Sequence, residues 1–380
     1  MATAYAQVNP NLIKWARERA DLSLGMLATK LQTTEEKVSA WENGEKPITM
    51  RKAMELAEKT YVPFGYLFLR EQPEDKLQIP DLRTIDGDPI RKPSAELYKV
   101  VQNTLTKQAW YKEYLTDQGT EPLSFVGRFN INSNAIDIVN DMRNELGVPP
   151  HPARGNWEDY HKALIKKIED IGVLIMRQSN LGHHTKPLFV NEFRGFAIAD
   201  EFAPVIFINL ADVPVARLFT LIHELAHIWI GQSGVSDGSD STHRKEEVLC
   251  NAVAAEFLVP GEEFKSHWQQ LENWKDNLAG LESHFHVSQW VLARRALTFG
   301  FISQNEYHRF IQFLKKQYDE RERKGTGPSY YVTLKSQTSE RLARAVLSET
   351  LSGKVLLRDA GQLLGIKPDK INKFAKGYDF

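Results

Sequence analysis

The chain has 380 residues, more than one hydrophobic core ordinarily serves, so two or three domains are expected. With 42% hydrophobic and 26% charged residues, it is an ordinary globular protein and not a disordered, collagenous or low-complexity one. Lys and Arg number 48 against 49 Asp and Glu, so no whole-chain attraction to nucleic acid or an anionic membrane exists and any such binding is local. The single cysteine, Cys250, excludes an internal disulfide and a cysteine-built metal site, and fits a reducing compartment. No apolar signal core opens the chain, and no uncharged apolar run nears the roughly 18 residues of a membrane span. A soluble cytoplasmic protein is the expectation.

In residues 1–70, apolar side chains recur at helical spacing: Leu12, Ile13 and Ala16, then Leu24, Leu27, Ala28 and Leu31, then Val38 and Trp41, then Met54, Leu56 and Ala57. Four or five short helices follow from that pattern. Ser23 and Thr34 stand where N-caps belong, and Asn43-Gly44 stands where a helix end needs a left-handed residue. Charge and proline then mark a linker over 71–95. Residues 96–265 form the next domain, helical to about 170 apart from GVPPHPARGNWED (147–159). Three β-rich runs follow, GVLIMRQ (172–178), FRGFAIAD (193–200) and PVIFINL (204–210), which predict a small sheet. A strong helix comes next, with Asp212 as its cap, Pro214 in its first turn and Gly231 at its end. The polar stretch QSGVSDGSDST separates it from a helix over 245–258. Residues 266–380 read as a mainly helical carboxy-terminal region with SYYVTL as a strand candidate. The expected fold class is α+β and mostly helical, with an all-α amino-terminal domain.

The strong helix carries His223-Glu224-Leu225-Ala226-His227, the HExxH pattern. Histidines four residues apart share one helix face, so both imidazoles can reach one Zn²⁺ at roughly 2.0–2.1 Å, while the glutamate stands beside the ion without ligating it. The ion lowers the pKa of a water toward about 7 and Glu224 takes its proton, so that the water attacks a peptide carbonyl. Apolar neighbours on both sides bury this helix, and burial without partners is costly for two histidines and a carboxylate. A third ligand is needed, and the downstream helix offers Glu246, Glu247 and Glu256. Glu247 shares neighbouring faces with Asn251, Ala254 and Ala255, whose small side chains permit close packing, whereas Glu246 turns about 100° away. Two imidazoles and one carboxylate suit Zn²⁺, and Mn²⁺ as well.

TLIHELAHIWIG (220–231) followed by EEVLCNAVAAEFLVP (246–260) resembles the ImmA/IrrE family of zinc metallopeptidases. IPDLRT (79–84), EFRGFAIADEFAPVIFIN (192–209), FHVSQWVLARRALTFGFI (285–302) and LLRDAGQLLGI (356–366) extend the likeness over most of 75–370. The resemblance implies a zincin-like core, Glu247 as the third zinc ligand, and cleavage of regulatory proteins, often helix-turn-helix repressors of stress or mobile-element genes. An edge strand holding extended substrate is expected from FRGFAIAD or PVIFINL. His243 and Arg295 are candidates to stabilise the oxyanion, though each reads more simply as a surface or packing residue. His183 and His184, adjacent in a loop, diverge and read as solvated side chains.

LSLGMLATKLQTTEEKVSAWENGEKPITM (22–50) resembles the repressor-type helix-turn-helix family. Its presumed recognition helix opens with Glu35 and Glu36, which repel phosphate, and ten basic against eight acidic residues leave 1–70 a net charge of only +2. Thr34, Lys37, Ser39 and Asn43 can still reach DNA, and Trp41 reads as core. DNA binding and protein docking both stand open for this module. The leading reading is a zinc endopeptidase acting on a regulatory protein such as a helix-turn-helix repressor. The alternatives are a non-proteolytic transcription regulator and a toxin–antitoxin component using the metallopeptidase-like domain for sensing or partner binding.

Overall fold

Capping and burial build the amino-terminal helices as their spacing predicts. In the computed structural model, which describes residues 4–73, 77–80, 84, 85, 88, 89, 93–153, 155–181, 187–236, 244–322 and 335–378, the chain divides into two units. One comprises Met1–Gln78 and Arg91–Asn103, the other Ile79–Ile90 and Thr104–Phe380.

The first unit contains β1 (Tyr5–Ala6), α1 (Pro10–Arg19), α2 (Leu24–Lys30), α3 (Glu35–Glu42), β2 (Ile48–Thr49), α4 (Met50–Lys59) and a 3₁₀ turn, Phe64–Phe68. Ser23 caps α2 by accepting from the Met26 amide at 3.1 Å. Thr34 stands at the N-cap of α3 without a side-chain cap bond, and Asn43 ends that helix before Gly44 at φ +73°. Ile13, Ala16, Leu27, Val38, Trp41 and Leu56 share one core, which settles Trp41 as packing. The one addition to an all-α reading is the antiparallel pair β1–β2. Within this unit the buried Glu42 carboxylate is gripped from two sides by Arg17, at 2.7 and 2.9 Å.

Elements β3 (Thr84–Ile85) and β4 (Asp88–Pro89) pair antiparallel, and α5 (Ala95–Asp117) follows. The second unit continues with α6 (Ala135–Leu146), α7 (Trp157–Asp170), β5 (Leu174–Gln178), β6 (Gly195–Ile198), β7 (Val205–Asn209), α8 (Pro214–Trp229), β8 (Gly234–Ser236) and α9 (Lys245–Leu258). Next come α10 (Gly261–His267), α11 (Asn277–Phe285), α12 (Gln289–Thr298), α13 (Gln304–Glu322), α14 (Glu340–Leu351), α15 (Leu357–Leu364) and α16 (Ile371–Ala375). The fold is α+β. SYYVTL, His183, His184 and His243 lie outside the described residues. No helix among the described residues is long and apolar enough to cross a membrane.

The sheet order is β5-β7-β6-β8, with β5 and β7 parallel and the other neighbours antiparallel. This corrects the edge-strand expectation, because FRGFAIAD and PVIFINL both supply inner strands. Every residue of β6 and β7 is buried, and a continuous apolar run is the mark of a strand covered on both faces. The edge near α8 is instead β8, three residues inside the Gly/Ser-rich stretch, where the Val235 amide donates to the Pro80 carbonyl at 3.0 Å.

Asp212 does not cap α8 either. Val213 takes the N-cap position, while the Asp212 carboxylate accepts from the Val213 amide at 2.8 Å and from Arg194 at 3.1 Å. A cation from β6's approach thus competes for the carboxylate a cap would need. The other end of α8 is closed by a separate segment. The Gly127 and Phe129 amides donate to the Ile228 and Trp229 carbonyls at 3.0 and 3.1 Å, and the Trp229 indole donates to Asp141 at 2.7 Å. Gly127 and Gly231, each at φ +68°, face one another so closely that a Cβ on Gly231 would stand 3.0 Å from the Gly127 Cα. Left-handed backbone and contact both demand glycine there.

Candidate metal centre

Helix α8 is buried along its length between the sheet and α9, and the alanines of α9 let the two helices lie close. His223 and His227 project from one face of α8, and Glu247 meets them from the first turn of α9. The distances are 3.2 Å from His223 Nε2 to Glu247 Oε2, 3.2 Å from His227 Nε2 to Glu247 Oε1, and 3.2 Å between the two Nε2 atoms. All three side chains are nearly sealed from solvent, at 2%, 0% and 2% exposure.

The donor set fits a divalent ion. A tetrahedral ion with ligands at about 2.0–2.1 Å holds them roughly 3.3 Å apart, close to the spacing found. The two Nε2 atoms face each other at 3.2 Å and Glu247 Oε1 has no aligned hydrogen-bond partner, so a cation among the three groups would satisfy atoms the fold leaves unmatched. Both Nδ1 atoms are buried without a hydrogen-bond partner. Burial works against the charge of Glu247, yet the imidazoles of His223 and His227 hold its carboxyl well below the usual carboxylate range. Of the other acidic candidates, Glu246 is half-exposed, and Glu256 is committed to Arg295 and to the Gly261 amide.

Glu224 is fully buried, and neither of its oxygens has a hydrogen-bond partner. Burial, with the negative charge of Glu247 adding to it, pushes its pKa up to about 8, while His223 and Ser236 pull the other way. Space for this carboxylate comes from Gly195 in β6. A Cβ there would come within 2.9 Å of Glu224 Oε1, of the Phe207 carbonyl and of Thr220 Cγ2. A glycine inside an otherwise apolar strand is the signal of such a close approach, and sequence reasoning passed it over.

A cleft that opens to solvent borders His223 and Glu224 and is also lined by Arg194, Ser236, Arg294 and Tyr307. Arg295 is not part of it. Its guanidinium binds Glu256 and lies over the Phe299 ring, so it is a packing residue and its candidacy for the oxyanion falls. Tyr307, which no motif marked because it arrives from α13, reaches the cleft instead.

The helix-turn-helix residues are placed differently. Thr34, Lys37 and Asn43 are exposed and Ser39 is half-buried. Thr34 bonds to Glu36 and helps hold that carboxylate below its ordinary pKa, and the Asn43 amide donates to Glu45 at 3.3 Å. Glu35 turns its carboxylate against Gly25 in the first turn of α2, where a helix N-terminus favours negative charge.

Comparison with known families agrees with this division. Residues 168–297 match the peptidase family described as IrrE N-terminal-like domain, and residues 13–67 match the helix-turn-helix family. Residues 338–377, spanning α14 to α16, match a domain of unknown function. A search of curated proteins returns no match for the chain. The chain therefore joins a helix-turn-helix module to a metallopeptidase-like domain of the IrrE type, as the resemblances implied.

Proposed function

We propose that the chain is a zinc-dependent endopeptidase that cleaves a regulatory protein, such as a helix-turn-helix repressor. His223, His227 and Glu247 would hold the zinc, and Glu224 is the general base. The observation that carries this reading is the buried, unpartnered Glu224 carboxylate beside three converging ligand atoms. Leaving a buried carboxylate without partners is costly, and catalysis is the reason a fold retains one. Zinc, when bound, supplies Lewis acidity and lowers the pKa of water toward about 7.

Glu224 then accepts a proton on its carboxylate and returns it to the departing amine, a cycle that needs a base able to hold a proton near neutral pH. Gly195 keeps that carboxylate seated, and the cleft orients the peptide. The Tyr307 hydroxyl is the donor we assign to the developing oxyanion, in place of Arg295.

The amino-terminal module directs or restrains the peptidase by binding DNA or a partner, with Thr34, Lys37, Ser39 and Asn43 as its contact residues. Of these, the exposed Lys37 is the cation suited to phosphate.

Glu224→Gln tests the mechanism. Purified protein is mixed with candidate repressors, with and without chelator, and products are read by mass spectrometry. The variant should retain its metal and lose cleavage by at least 10²–10⁴-fold, the range general-base removal gives. Undiminished proteolysis by the variant would sink the reading, whereas sequence-specific DNA binding without cleavage of any candidate would favour the non-proteolytic regulator.

A further inference from the structure

Away from α8 and α9, three segments distant in sequence bring together a second group of ligand-bearing side chains. His151 comes from the connection between α6 and α7, Glu263 from α10 and His284 from the last turn of α11. The ligand atoms they offer lie within 4.8 Å of one another. His151 Nε2 stands 3.1 Å from Glu263 Oε1, and His284 Nε2 stands 2.8 Å from the same oxygen.

We propose that His151, Glu263 and His284 form a second binding site for a divalent first-row transition ion, such as Zn²⁺, Ni²⁺ or Co²⁺. Three ligand atoms converging from separate segments carry the argument, and the orientation of the His151 ring supports it. Its Nδ1 lies 3.3 Å from the Pro152 carbonyl, which can only accept, so Nδ1 carries the hydrogen. In the neutral ring, Nε2 then presents a bare lone pair to a carboxylate oxygen, which also only accepts. Two acceptors 3.1 Å apart are held together by a cation, either a second proton on the ring or a metal ion, and the convergence of a second imidazole on the same carboxylate oxygen favours the metal. Burial opposes the charge of Glu263, yet the neighbouring imidazoles of His284 and His151 hold its carboxyl below its ordinary pKa.

A ring fixed through Nδ1–H to a backbone carbonyl, with Nε2 facing a carboxylate, is how metal-ligating histidines are ordinarily oriented. His267 repeats half of that pattern. Its Nδ1 lies 2.9 Å from the Glu263 carbonyl, and its ring stacks on His284 with centroids 4.2 Å apart, which holds His284 toward Glu263. The spacings again approach the roughly 3.3 Å between ligands of a tetrahedral ion, and imidazole with carboxylate suits these metals. Side-chain exposures of 23%, 31% and 32% leave room for water to complete the coordination. Such an ion would tie the α6–α7 connection to α10 and α11.

Counting metal on the full-length chain tests this independently of the peptidase reading. Stripped protein is dialysed against Co²⁺ or Zn²⁺ and measured by inductively coupled plasma mass spectrometry. Two ions per chain are expected, one after joint His223→Ala and His227→Ala, and one after joint Glu263→Gln and His284→Ala. His151→Gln alone, at a half-exposed position, should weaken the second ion by 10-fold or more. A wild-type chain that takes only one ion, lost on substitution at 223 and 227, overturns the proposal and leaves a proton shared among His151, Glu263 and His284. Two ions retained after substitution at 263 and 284 overturn it equally. Loss of one ion at 263 and 284 with none lost at 223 and 227 upholds it and sinks the first site instead.

Discussion

Glu42 and Glu224 are both carboxylates sealed from solvent, one in each unit. Glu42 is met by a guanidinium at 2.7 and 2.9 Å, and its charge is fully answered within its own helical module. Glu224 has no hydrogen-bond partner on either oxygen, and its neighbour along the helix, His223, belongs to a cluster that could hold a metal ion. Burial alone does not distinguish architecture from chemistry. The difference is whether the fold supplies the counter-charge itself or leaves it to something that binds.

The comparison can be broken in several ways. The largest effect is expected from His227→Ala, which should empty the first metal site and take cleavage below detection, checked by metal content alongside the repressor assay. Arg17→Ala strands a buried charge, and should destabilise the amino-terminal unit by about 3 kcal/mol in chemical denaturation. Glu224→Gln in metal-stripped protein near neutral pH should by contrast leave stability within about 1 kcal/mol of the parent, since burial already favours the uncharged carboxyl that the amide replaces. Equal losses from the two substitutions would erase the distinction drawn here.

Gly195→Ala crowds the Glu224 carboxylate, and should cost about 1–3 kcal/mol and slow cleavage on the order of 10²-fold by misplacing the base. The smallest effect belongs to the exposed recognition helix. If the module grips DNA, Lys37→Ala should lower the slope of log affinity against log salt by about one and leave cleavage of a free repressor untouched, measured by fluorescence anisotropy.

Much of this was legible in the sequence because the signals were local. His223 and His227 sit one helical turn apart, and Glu247 lies on the only face of its helix that small residues keep open. The helical caps at Ser23 and Asn43 followed from chemistry within three residues. What escaped depended on partners far along the chain. Arg194 draws Asp212 away from its capping duty, the three-residue β8 hides in a polar stretch, and Tyr307 enters the cleft from α13. His151, Glu263 and His284 have no spacing that would announce them, since only the packing of α10 and α11 against the α6–α7 connection makes them neighbours.

The paired glycines at 127 and 231 bear on how the peptidase domain can be dissected. The stretch that matches the IrrE-type family begins at residue 168, yet the carbonyls ending the HExxH helix are satisfied by amides at 127 and 129. A truncation cut to the family boundary would keep His223, His227 and Glu247 but lose His151 and the clasp, leaving the end of the HExxH helix with only the local Gly231 and Gln232 amides. Excised domains that start beyond position 130 are therefore poor tools for testing the proposed activity, whatever metal they are given.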